Sequence, residues 1–340
     1  MKLPWNHSDL AETASEPVTE RLPAVALARP RGSGKVASAA PGAHERRGKS
    51  SRSSLSQFEG LESPPAIGRI AGTWQQHLAA SGWRRPSLAA DCGVMGGWFV
   101  AAASALGRTH AHRAQERQDA YGLTLSGQTL VCAVADGVSG AEFGGPAADV
   151  AVHYALEAID GQARERGLAV TDLGLLDVAA GQARNAVGKL SRSLGVGAGQ
   201  CATTLLLTAV SVADRESRRM DVSVVSVGDS SVIELRADAT VEVLVGPLGG
   251  ASSRELGDYL PRGESAIIRR RVGVRRGSVL LLATDGLAQD LCQSPAVREW
   301  VAAQLRRATT PVAAAHVLSY QRQRSSDDLT FVALRRQQWP

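Results

Sequence analysis

The sequence predicts an α+β fold: two packed antiparallel β-sheets, a β-sandwich, flanked by pairs of helices. Three observations predict it. Short apolar runs separated by turns follow one another from residue 98 to 135 and again from 203 to 284, the pattern of hairpin-linked strands. Helical periodicity comes in two pairs instead of alternating with strands one for one, as a doubly wound parallel sheet requires. The first 90 residues differ in kind. They hold 8 of the 14 prolines and carry 12 Lys+Arg against 7 Asp+Glu, which is the whole +5 of the chain. A basic, Pro/Ser-rich, largely disordered leader is therefore expected over 1–90, and a folded domain over 91–336.

Trp98–Leu106, Ala120–Leu125 and Thr129–Ala135 read as strands, the last ending in Asp136-Gly137. Pro146 suits the first turn of a helix, and Ala147, Val150, Ala151, Tyr154, Ala155 and Ala158 continue at helical spacing. Its partner helix covers Leu175–Ser193, after an unassigned connection, Gly161–Leu173. Thr203–Val212, Asp221–Val227, Ser231–Arg236 and Val241–Val245 read as one antiparallel meander. Beyond the irregular Gly246–Glu264 come strands at Ala266–Val272 and Ser278–Thr284. Helices at Pro295–Arg307 and Pro311–Arg322 and a final strand, Leu329–Leu334, complete the domain. A short helix is expected over 66–82.

Composition excludes several function classes. The pI of about 9.3 comes from the leader, and aromatics make up 4% of residues, so the basic stripe with interleaved aromatics of a nucleic-acid binder is missing. No nucleic-acid partner is expected. Gly93–Gly107 is too short to span a bilayer, and Met1–His7 has no apolar signal core. Cys92, Cys132, Cys201 and Cys292 lack C-x-x-C spacing, so the expectation is a reduced, cytoplasmic protein.

Asp119, Asp136, Asp285 and Asp327 each sit where an apolar run starts or stops. Strands lying side by side would bring these carboxylates together. Two unit charges ~4 Å apart repel by ~4 kcal/mol at an effective dielectric of 20, so an all-oxygen cluster of this kind calls for hard divalent ions such as Mg²⁺ or Mn²⁺.

Arg117-Gln-Asp119, Ala135-Asp-Gly-Val-Ser-Gly140, Cys201-Ala-Thr-Thr204, Val227-Gly-Asp-Ser230, Ala283-Thr-Asp-Gly286 and Ser326-Asp-Asp-Leu-Thr330 occur in that order. Together they resemble the metal-dependent protein serine/threonine phosphatases of type 2C, in their bacterial form, over about residues 92–335. The resemblance implies two Mn²⁺ or Mg²⁺ ions bridged by a water that attacks phosphorus. It implies that Asp136 bridges both ions, the Gly137 carbonyl holds one, Asp285 and Asp327 ligate the second, and Asp119 acts near the first through water. Asp136 and Asp285 are the catalytic candidates. Asp229 is a candidate ligand for a third ion, although its usual helper position is Gln289, with Asp290 next to it. Arg113 and Arg117 are candidate phosphate contacts, since guanidinium forks match phosphate oxygens. Thr203 and Thr204 are read as members of a buried strand.

Implied partners are phosphoserine and phosphothreonine proteins in signal transduction, with a cognate Ser/Thr kinase by family habit. Gln118 stands where many relatives have a carboxylate, Val138 where some have a proposed histidine acid, and Asp328 where an asparagine is usual. His110 is a candidate proton donor, with a structural role favoured. A rival expectation is a pseudophosphatase that keeps the fold as a phosphoprotein-binding or sensing module.

Overall fold

The computed structural model describes residues 61–70, 85–166, 173–213, 219–247, 259–262 and 268–336. All of them belong to the unit Ser53–Pro340, the other unit being Met1–Arg52. In chain order the elements begin with β1 (Ala66–Ile67), β2 (Leu88–Met95), β3 (Trp98–Ala105), α1 (Arg108–His112), β4 (Ala120–Ser126) and β5 (Thr129–Ala135). Then come α2 (Gly144–Arg166), α3 (Leu173–Leu194), β6 (Leu205–Ser211), β7 (Arg219–Val227), β8 (Ser231–Leu235) and β9 (Val241–Val245). The last are β10 (Ile268–Arg275), β11 (Val279–Ala283), α4 (Asp285–Gln293), α5 (Pro295–Arg307), α6 (Pro311–His316), β12 (Gln321–Arg322) and β13 (Leu329–Arg336).

Two sheets carry the fold. One has the order β10-β7-β6-β5-β4 and the other β2-β3-β13-β11-β8-β9, with antiparallel pairing throughout both. The central strands lack polar alternation because both of their faces are covered. On β5, Val131, Ala133 and Ala135 pack against α2 and α3, while Leu130, Cys132 and Val134 meet Leu280, Leu282, Val332 and Leu334 of the opposite sheet. On β11, Val279, Leu281 and Ala283 turn outward to α4, α5 and α6. The result is four layers, helix–sheet–sheet–helix, as expected of a sandwich with paired helices.

Several local expectations are corrected. The run from 203 to 245 is not one meander. β6 and β7 pair in the first sheet, but β8 and β9 belong to the second. Gly228, at φ +99°, breaks the chain between them. The described part of 66–82 is strand, not helix: β1 pairs in parallel with β12. Residues 71–82 lie outside the described residues. The helix expected over 311–322 ends at His316, and its last two residues, Gln321 and Arg322, form β12 instead. Ser294 and Thr310 cap α5 and α6, accepting from the Val297 and Ala313 N–H groups at 3.4 and 3.2 Å. The folded domain also begins before residue 91, since β2 starts at Leu88. Glu62 accepts a hydrogen bond from Gln304 of α5 at 3.1 Å and pairs with Arg307. The connection 161–173 is helical through Arg166, and the bulk of 246–264 lies outside the described residues.

Candidate active site

The acidic rim is assembled from backbone geometry first. β5 ends at Ala135, and the next peptide is fixed by the start of the β6 segment. The Asp136 N–H donates to Thr204 Oγ1 at 3.0 Å. Its carbonyl accepts from the Thr204 N–H and the Thr203 hydroxyl, each at 2.8 Å. Both threonines are fully buried, so their hydroxyls serve Asp136 rather than solvent. Leu260, from the segment before β10, exchanges backbone hydrogen bonds with Thr203 at 2.8 and 3.1 Å and closes this edge.

Asp285 opens α4, where a carboxylate suits the helix N-terminus. Thr284 before it donates its hydroxyl to Asp119 Oδ2 at 2.8 Å and accepts from the Thr330 N–H at 3.2 Å. Asp327 and Asp328 precede β13. Their backbone is squeezed between two glycines: a Cβ at Gly107 would lie 2.2 Å from the Asp327 carbonyl carbon, and one at Gly286 would lie 2.3 Å from the Asp328 oxygen. Asp328 is satisfied by protein donors. It accepts from the Gly107 and Gln118 N–H groups, both at 2.6 Å, and pairs with His110 Nδ1 at 3.0 Å. His110, buried and held by this partner, sits in a structural pairing.

Asp119, Asp136, Asp285 and Asp327 meet at one rim. Asp136 is set against Asp285 carboxyl to carboxyl and lies within electrostatic range of Asp119 and Asp327; Asp119 likewise touches Asp136. Burial, then repulsion from Asp119 and Asp285, pushes the Asp136 carboxyl well above its ordinary value. Burial and Asp328 push Asp119 up to about 8. Burial and Asp285 raise Asp327. Asp229, after β7, is raised to about 6 by burial first and by Asp285 second, which places it beside the same cluster.

Asp119 Oδ1 and Asp285 Oδ1 are buried and have no hydrogen-bond partner among the described residues. Two ionised carboxylates cannot hydrogen-bond each other, so these contacts need shared protons or cations between them. Among the described residues no three His, Cys, Asp or Glu side chains already gather around a single point as a ready-made cage. Mg²⁺-type ions are commonly held by one or two carboxylates with several waters, and that is the demand a paired rim meets. The donor set is all oxygen and fits a hard divalent ion.

The two arginine candidates separate. Arg113 is exposed and lines a cleft of about 630 Å³ beside the rim, together with His110, Phe143, Pro146 and Asp327. Arg117 is buried and turned inward, its guanidinium donating to Pro86 O at 3.2 Å, to Ser104 Oγ at 2.6 Å and to Asp119 O. A guanidinium committed to those acceptors is not free to clamp phosphate, which corrects the expectation for Arg117. Asp290 is likewise committed, accepting from the Tyr320 and Ser325 hydroxyls at 2.8 and 2.6 Å and from Arg322 at 2.5 Å. It anchors the loop before Asp327. Sequence reasoning missed the holding roles of Thr203, Thr204, Thr284 and Asp328. The signal available was two adjacent hydroxyls at a strand start next to an acidic turn.

The family model for protein phosphatase 2C matches residues 106–320. The chain belongs to the protein phosphatase 2C family, and with it to the protein serine/threonine phosphatases, which use Mn²⁺ or Mg²⁺. Solved structures similar to it include PppA, described as a key regulatory component of the T6SS in Pseudomonas aeruginosa. That match has 18% identity and a TM-score of 0.47, and covers 70% of this chain and 97% of that one. The Mycobacterium tuberculosis serine/threonine phosphatase PstP/Ppp matches at 18% identity and TM-score 0.45, covering 69% and 97%. The S. agalactiae serine/threonine phosphatase matches at 13% and 0.46, covering 73% and 99%. No curated protein matches the chain in sequence. Among the described residues no helix is long and apolar enough to cross a membrane.

Proposed function

We propose that the chain hydrolyses phosphoserine and phosphothreonine on proteins, using two Mn²⁺ or Mg²⁺ ions. Asp136 and the Gly137 carbonyl would hold the shared face, Asp285 and Asp327 one ion, and Asp119 the other, with Asp229 available to a third. The observation that carries this reading is the pair of buried oxygens, Asp119 Oδ1 and Asp285 Oδ1, which have no hydrogen-bond partner among the described residues while both carboxyls lie against Asp136. Ions held there would supply neutralisation of phosphoryl charge and a water of lowered pKa for in-line attack.

The chain's own residues do the rest. Thr203 and Thr204 fix the Asp136 peptide, and Thr284 orients Asp119. Asp328 ties the Asp327 turn to Gly107 and Gln118. The cleft lined by Arg113 and Phe143 is open to a phosphorylated peptide, and Arg113, unlike Arg117, has no acceptor among the described residues. A kinase-controlled signalling protein in the cytoplasm is the proposed setting.

Purified protein should release phosphate from an aryl phosphate and from phosphothreonine peptides only with Mn²⁺ or Mg²⁺. Asp285→Ala should abolish this. Metal-independent turnover, or full activity in that variant, overturns the mechanism. The second reading, a pseudophosphatase, draws on Gln118 and Val138 and on the lack of a ready-made three-residue cage among the described residues. Calorimetric titration with Mn²⁺ separates the two, because a binding module with a degraded rim takes up no pair of ions.

A further inference from the structure

Arg85 lies upstream of the segment matched by the family, residues 106–320, yet its side chain reaches the back of the acidic rim. It is 3% exposed. One guanidinium nitrogen donates to the Arg117 carbonyl. The other donates to the Asp119 carbonyl at 3.1 Å and to Asp149 Oδ1 on α2 at 2.6 Å. Arg117 donates to the same Asp119 carbonyl. Two guanidiniums thus converge on the peptide that carries the Asp119 carboxylate.

Fold stability alone does not account for this arrangement. Two neighbouring buried cations cost desolvation and repel each other. Arg85 also lies against the first turn of α2, where the helix dipole favours an anion. The space is nevertheless kept for it: a Cβ at Gly145 would sit 2.5 Å from Arg85 Nη1 and 3.1 Å from the Arg117 oxygen. Asp149, half-exposed, answers one charge. The acidic rim answers part of the rest, because Arg117 lies within electrostatic range of Asp119, Asp149 and Asp328.

We propose that Arg85 and Arg117 are positioning residues that hold the Asp119 backbone from behind and so fix its carboxylate at the ion-binding face. The inference rests on the reading of Asp119 as part of an ion site. Arg85 also joins the three pieces that must stay in register: the segment leading into β2, the turn carrying Asp119, and the helix that follows Asp136-Gly137.

The test is calorimetric titration of the full chain with Mn²⁺, together with thermal unfolding in EDTA and in Mn²⁺. Arg85→Lys keeps the charge but loses the planar fork that serves three acceptors. It should weaken uptake of one ion by roughly 10–100-fold, as loss of an outer partner does at metal sites, and shrink the Mn²⁺-induced rise in Tm. Gly145→Ala, which displaces the guanidinium without touching its charge, should shift both readouts the same way and serves if Arg85→Lys does not fold. The exposed Arg270→Lys should change neither. Wild-type Mn²⁺ affinity in Arg85→Lys and Gly145→Ala, with only a lower Tm in EDTA, overturns the inference and leaves the phosphatase reading intact. If the wild-type chain itself takes up no Mn²⁺, both fall together.

Discussion

Asp119 shows how a single residue's environment becomes a measurable property of the whole protein. Burial, then Asp328, pushes its carboxyl up to about 8, and Asp136 and Asp327 are raised beside it. The folded protein therefore keeps protons that the unfolded chain has released. The contribution of these carboxyls to the stability of the metal-free form is fully present below pH ~4 and is lost as pH rises toward ~8. Divalent ions displace those protons, so the gain in Tm from Mg²⁺ should be larger at pH 8 than at pH 6. Calorimetric scans at both pH values check it, and equal gains count against an ion site at Asp119. At the same scale, Thr284→Val removes the hydroxyl that donates to Asp119 Oδ2 and accepts from the Thr330 N–H, leaving that buried N–H without its acceptor. A loss of about 1–3 kcal/mol in urea unfolding is expected, with weaker Mn²⁺ binding.

At the scale of elements, the rim depends on close approach between turns. Gly286→Ala brings a methyl onto the Asp328 oxygen, a backbone atom that cannot swing away. Both α4 and the Asp327 turn must shift, so kcat should fall at least tenfold, with a destabilisation of about 1–3 kcal/mol. Steady-state kinetics at saturating Mn²⁺ together with urea unfolding checks this. The four aspartates were readable beforehand because each interrupts an apolar run, and a carboxylate there has few purposes. α4 was not, since Asp285-Gly286 looks like a turn and nine residues carry little periodicity. β2 escaped because it is an edge strand mixing Leu88, Asp91, Gly93 and Val94 without clear alternation. The inward turn of Arg117 was unreadable because nothing in its neighbours names the carbonyls it would find. Arg85 was hidden in a stretch whose composition reads as leader.

For the whole molecule, the boundary between leader and domain is the testable question. Removing residues 1–52 leaves every described residue in place and should leave Tm and phosphatase activity unchanged. Removing 1–70 also deletes β1 and the partners of Arg307, Gln304 and His316 at Glu62, and should lower Tm by several degrees. Thermal scans of the two truncations decide it; equal Tm values would show that β1 contributes nothing to the fold.

The four-layer stacking has a kinetic corollary. β5 and β11 each have a sheet on one side and helices on the other, so their amides exchange with deuterium only when the entire slab opens. The aspartates that follow these two strands, Asp136 and Asp285, are thus moored to the slowest-breathing part of the polypeptide. Adaptation to new phosphoproteins would have to come from the cleft walls around Arg113 and Phe143, since residues beneath the rim have nowhere to move.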